Sequence, residues 1–253
     1  MHLKTFFYLL IFFLGIASQV KATHHKTYIP NAPGSEFRQL NLRLFEAAKL
    51  GYSEDIERLI AQGASVTARD RFGNTALLLA SRASKPRSVK LLLKAGSEIR
   101  QRNLNGSSAL LQAAKAGRTR IVKILIAAGA DLEQANNKGL TPIIAAAFIG
   151  KERLFDYFLE KGADPTRIDS TGKTSIVYAS ARGFSSIVKK LLNLGIDINL
   201  RYGNDLTALM WAAGYSNDVP SMDGEETVRL ILHRGGKFNL RDNRGWTALT
   251  IAA

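Results

Sequence analysis

The chain has 253 residues, no cysteine, 46% hydrophobic residues and a formal charge of +14. Without cysteine there is no disulfide framework and, in an exported protein, no lipoprotein anchor, while the apolar content is ample for a stacked core. So large a basic excess favours acidic partners: acidic proteins, anionic lipid headgroups, cell-wall polymers or nucleic acid.

Residues 1–22 read as a cleaved secretory signal. Lys4 lies in a short basic stretch, Phe6 to Ile16 form an apolar run, and Val20-Lys21-Ala22 offers small residues to a signal peptidase. The run falls well short of the roughly 20 residues that a membrane-spanning helix needs, so no transmembrane anchor is expected, although a cut after Ala17 competes with one after Ala22. Cleavage removes Lys4 and Lys21 and leaves a charge of +12. Export to the periplasm or beyond argues against nucleic acid as the partner. A cut after Ala22 would expose Thr23-His24-His25, and a free amine with His third in line can wrap Cu(II) or Ni(II) in a square-planar nitrogen set; otherwise His24 and His25 are two residues of a flexible tail, and no cofactor is expected. Residues 23–39, with Pro30, Pro33 and Gly34, read as a loose lead into the first helix.

From residue 40 onward the chain repeats itself. Thr75, Ser108, Thr141, Thr174 and Thr207 stand 33 residues apart, and Thr247 follows after 40. Gly63, Gly96, Gly129, Gly162, Gly195 and Gly235 keep the same beat, so two marker sets agree on one unit. Within a unit, Asp169-Ser170-Thr171-Gly172-Lys173-Thr174 opens a turn and Ser175 to Ala181 supplies a short helix of small residues. Gly183 breaks it, and Ile187-Val188 with Leu191-Leu192 gives the apolar stripe of a second helix ending at Gly195. The units are about 40–68, 69–101, 102–134, 135–167, 168–200 and 201–240, with a partial one at 241–253. The first lacks a recognisable hairpin and reads as an N-terminal cap; the last stops one short helix in, leaving an apolar face, so that either more chain follows, the end frays, or a partner covers it.

This pattern resembles the ankyrin repeat family, whose unit reads D-x-x-G-x-T-P-L-H-x-A-A, then Gly, I-V, L-L, G-A-D. Asn136 to Asp164 and Asn103 to Asp131 are the clearest copies. The resemblance implies an all-α ankyrin-repeat solenoid of stacked helix-turn-helix units with β-hairpin or loop fingers. The family histidine is absent, replaced by Leu78, Leu111, Ile144, Val177, Met210 and Thr250, so a hydrogen-bond network is lost while the apolar core is kept.

In such arrays the partner groove is formed by finger tips and the exposed side of the first helix. Carried over position by position, the resemblance places there Arg69, Arg71, Phe72 and Arg82, then Arg102, Leu104 and Lys115. Lys138, Leu140, Phe148 and Ile149 follow, then Lys173 and Arg182, Arg201, Tyr202 and Tyr215, and from the partial unit Arg244 and Trp246. Of the thirty positions in the five two-helix units, nine are Arg or Lys and none is Asp or Glu. Arginine with aromatic and aliphatic anchors is what interface hot spots are made of. The expected surface is a cationic groove with an apolar centre at Leu140, Phe148 and Ile149, shaped for an acidic protein; the bland reading is that basic residues are tolerated wherever a solenoid faces water.

A seven-residue insertion falls between the helices of the unit at Asp205, replacing a tight turn with Gly214 to Asp223, and is either a second contact or a solvated loop. Asp218, Asp223, Glu225 and Glu226 match no calcium loop. Only His233 of the four histidines lies in the array, and with no cysteine and no phosphate loop the parts for catalysis are missing. The expectation is therefore a monomeric, non-enzymatic, exported binding module for an acidic protein. Similarity to exported bacterial ankyrin repeat proteins implies a sharper form, an inhibitor or immunity protein for an exported enzyme. A basic solenoid adhering to anionic lipid or wall polymer by charge is the rival.

Overall fold

The computed structural model describes residues 34–215 and 221–253. The expected leader, the His24 and His25 pair and residues 216–220 of the insertion lie outside the described residues. The chain divides into two units, 1–39 and 40–253. Of the first, only Gly34 to Gln39 is described, and it corrects one expectation: helix α1 runs Ser35–Leu50, so residues 35–39 are helical rather than a loose lead. No proline or glycine interrupts the chain between Gly34 and Gly51, the Arg38 N–H donates to Gly34 O at 3.0 Å, and Glu36 sits in the first turn where the helix dipole favours an acid.

Residues 40–253 form a helical repeat solenoid. After the cap helix α2 (Ser53–Ala61), each unit pairs a seven-residue inner helix with a nine-residue outer one: α3 (Ala76–Arg82) with α4 (Pro86–Lys94), α5 (Ala109–Lys115) with α6 (Thr119–Ala127), α7 (Pro142–Phe148) with α8 (Glu152–Glu160), and α9 (Ser175–Ala181) with α10 (Ser185–Asn193). A short α11 (Ala208–Met210) winds into a wider turn through Tyr215, then come α12 (Ser221–His233) and α13 (Ala248–Ala252). Neighbouring units stack inner helix on inner helix through the small residues Ala80, Ala113, Ala146 and Ala179, all fully buried. The residues standing where the family has histidine, Leu78, Leu111, Ile144, Val177 and Met210, are buried too, so the array gains apolar packing there.

Local chemistry sets each boundary. Thr75, Ser108, Thr141, Thr207 and Thr247 accept the backbone N–H three residues on, satisfying an orphan donor of the inner helix. Thr174 departs from that expectation. Its backbone is more extended, φ −118°, and its side chain makes no cap bond. Every outer helix closes with the same pair of bonds, as at Ser97 N–H to Leu92 O and Gly96 N–H to Leu93 O, with the glycine left-handed. Inner helices end the same way at Gly117, Gly150 and Gly183, but the first has Ser84 at φ 60°. Since a left-handed conformation costs a non-glycine residue about 1–2 kcal/mol, Ser84→Gly should raise the midpoint of chemical unfolding by roughly 1 kcal/mol of stability, as a denaturant titration would measure.

The fingers are built on one side chain each. Asp70, Asn103, Asn136, Asp169 and Asp242 each accept the backbone N–H groups two and four residues ahead, at 2.8 to 3.1 Å. Successive fingers are laced by Leu104 N–H to Phe72 O, Asn137 N–H to Asn105 O and Ser170 N–H to Lys138 O. Strand pairing is slight: the only bridges among the described residues are Arg102 with Ser108 and Tyr202 with Leu206. In the 201–207 finger Tyr202 replaces the capping acid, and Asn204 and Asp205 both take positive φ instead.

Candidate protein-binding groove

Fingers and inner helices meet in a cleft of about 350 Å³ spanning three units. Its apolar side is Leu140, Ala145, Phe148 and Ile149. Lys115 and Lys138 stand on it as cations, and Asn136, Thr171, Asp169 and Tyr178 complete it. Five residues expected in the groove, Lys115, Lys138, Leu140, Phe148 and Ile149, are thus brought together. Neither lysine is in an ion pair among the described residues, so both charges face whatever enters.

The acid in the cleft is already used. The Asp169 carboxylate accepts Thr171 Oγ1 and the Tyr178 hydroxyl as well as the N–H groups of Thr171 and Lys173. Burial by itself would raise its pKa, but these donors outweigh it and hold the group below the usual carboxylate value. Tyr178 is pushed up to about 12, first by burial and then by the bond to Asp169. The signs follow. Asp169 adds stability above its unfolded value of 3.8 that is lost as pH falls through its folded pKa. Tyr178 binds its proton more tightly when folded, so its contribution is whole below pH 10 and is lost as pH rises toward about 12. The difference in phenolate absorbance between wild type and Tyr178→Phe should titrate near the upper value, and Asp169→Asn should bring it down toward 10.

Aromatic rings extend the site. Phe148 meets Tyr178 edge-on with centroids 5.5 Å apart, Arg182 lies 4.8 Å above Phe148, and Lys173 stands 4.8 Å from the Trp211 ring and 5.7 Å from that of Tyr178. Tyr178, Trp211 and Asp169 were not among the residues expected from sequence. A column alignment carries the signal: Tyr178 and Trp211 occupy the position held by Leu79, Gln112 and Ala145 in the preceding units.

The other expected cations are largely committed to the fold. Arg69 donates to Arg102 O at 2.7 Å, and Arg102 donates to Gly106 O at 2.7 Å and to Asn137 at 3.2 Å, tying three fingers together. Arg201 donates to Arg241 O, and Arg244 is held by Asp242 while its guanidinium covers Trp246 at 4.2 Å. Arg71 lies over its exposed neighbour Phe72. Leu104 and Arg82 are exposed, and Tyr202 is half-buried against the core with its pKa raised by burial. The Tyr215 side chain, like His24 and His25, lies outside the described residues.

Residues 44–136 and 110–202 match the family model described as ankyrin repeats in three copies, and residues 204–243 match that of a single ankyrin repeat. The chain belongs to the ankyrin repeat family. No curated protein matches it. Ankyrin repeats serve as protein–protein interaction modules, and in this ankyrin array the cleft at Lys115, Lys138 and Phe148 is a recessed surface with free cations on the finger side. No helix among the described residues is long and apolar enough to cross a membrane.

Proposed function

We propose that this ankyrin array is a non-enzymatic exported module that docks an acidic protein through the cleft, and that it acts by covering the active site of an exported enzyme. The observation that carries the docking is the pairing of an apolar floor, Leu140, Phe148 and Ile149, with two cations that have no partner acid, while Asp169 is saturated by its own donors. Such a site suits an apolar side chain flanked by carboxylates. Its volume, at the lower end of ligand pockets, fits one or two side chains of a protein surface. Export rests on the residue 1–22 pattern.

The test is capture from the organism's exported fraction with the wild-type chain beside Lys115→Glu/Lys138→Glu. Arg69 and Arg102 are left alone because they hold the fingers. One protein retained by the wild type at moderate salt and lost by the variant supports the reading, and assay of that protein with and without the array tests inhibition. Equal retention by both baits refutes the groove.

A further inference from the structure

The positive charge of this chain is concentrated. Residues 71–130 hold twelve Arg or Lys and one acid, Glu98, whereas residues 131–200 hold nine against eight. Part of the excess faces the cleft and fingers. Lys85, Arg100 and Arg118 lie in the turns between elements, and five more lie on the outer helices α4 and α6, away from the groove.

On α4, Arg87, Lys90 and Lys94 are spaced three and four residues apart, one helical face, and all are exposed while Val89 and Leu92 are buried. On α6, packed beside it, Arg120 and Lys123 are exposed opposite buried Ile121, Val122 and Leu125. None of these five is in an ion pair among the described residues. The patch has edges: α2 carries Glu54, Asp55 and Glu57, and on α8 Glu152 and Asp156 engage Lys190.

Only Lys94, in the last turn of α4, and Lys123, over the Tyr157 ring, stand where folding gains from a cation. Neither α4 nor α6 has an acid in its first turn; Arg87 and Arg120 stand there, opposed by the helix dipole. Arg87 with Lys90, Lys90 with Lys94, and Arg120 with Lys123 are like charges at repelling spacings. A cost repeated in two adjacent units and absent from the units on either side calls for an external anion.

We propose that the outer face of α4 and α6 is a second interaction surface, which adsorbs to the headgroups of an anionic phospholipid bilayer and leaves the cleft free. The patch is two-dimensional, about 10 Å along the helices and about 10 Å between their axes, with no groove walls to track a single strand. Its outward residues include no aromatic platform for bases, and its apolar surface is confined to the edge by α2, where Ile60 and Leu91 line a shallow recess that Glu57 shares with Lys94. Tyr157, the aromatic nearest to it, is covered by Lys123 and Lys161. Long cationic side chains above a flat negative surface bind by charge alone, each adding affinity that fades with salt. This surface does not depend on the groove reading.

Vesicle co-sedimentation of the full chain tests it, with phosphatidylcholine vesicles compared with vesicles that also contain phosphatidylglycerol. The expected result is preferential binding to the anionic vesicles at low salt and release at high salt. Arg87→Glu/Arg120→Glu/Lys123→Glu, checked for unchanged helicity, should weaken that preference at least about tenfold, the Gln triple should fall between, and the groove pair Lys115→Glu/Lys138→Glu should stay within about twofold of wild type. Equal binding to both vesicles, an outer-face triple that binds like wild type, or an equal loss in the groove pair would overturn the proposal. So would a short DNA duplex that binds more tightly than the anionic vesicles, which would reassign the patch to nucleic acid.

Discussion

Phe155→Ala should be the most damaging single truncation in the array, costing about 3–5 kcal/mol. Phe155 is fully buried in α8, at the position that Val89, Val122 and Val188 occupy in sibling units. Phe158 follows the same rule, standing where Leu92, Leu125 and Leu191 stand. The unit at 135–167 therefore fills its interface with two rings where the others use aliphatic chains, and alanine leaves a void that two flanking units cannot both close. Because a solenoid's stability is carried by nearest-neighbour interfaces, the loss should also divide the array. Urea unfolding followed by circular dichroism should change from one transition to two, with residues on either side of 135–167 melting separately. Phe155→Val, which restores the sibling residue, should cost less and keep a single transition. A midpoint for Phe155→Ala within experimental error of wild type would refute this account of the interface.

The groove variants should have the second largest effect. Once a partner is in hand, Phe148→Ala should weaken binding by about 2 kcal/mol, roughly thirtyfold, because it removes the apolar floor and the edge-on contact with Tyr178. Lys115→Glu/Lys138→Glu should weaken it by at least as much at low salt, and its effect should shrink as salt shortens the Debye length below about 8 Å. Isothermal titration at two ionic strengths separates the two contributions. If Phe148→Ala is silent while the lysine pair abolishes binding, the cleft acts by charge alone, and the packed-anchor part of the reading fails.

Arg102 shows where a positional reading of an ankyrin array stops. Its place in the repeat marks it as a groove residue, yet its guanidinium holds Gly106 O and Asn137. Arg69 reaches Arg102 O in the same way. Position in a repeat determines which face a side chain leaves from; a long cation then turns to whatever acceptors the next unit presents. Lys115 and Lys138 leave from the same face and find no such acceptor. Tyr178 is set by the same kind of contact. Its role depends on Asp169 in its own finger and Phe148 in the unit before, a meeting that no single unit displays.

What the chain determines by itself is local and periodic. The 33-residue spacing of Thr75, Ser108 and Thr141, the left-handed glycines and the apolar stripes specify caps, stops and buried faces, because each depends on hydrogen bonds and packing within a few residues of its own position. The helical start at Ser35, directly after Pro33 and Gly34, is also local. What only the tertiary structure decided is which charges remain free. That depends on contacts between residues one repeat apart, as in Ser170 N–H to Lys138 O, Arg69 to Arg102 O and Lys190 to Asp156. Those contacts form only when the units stack, so the cleft at Lys115 and Lys138 and the unpaired face of α4 and α6 are properties of the assembled array.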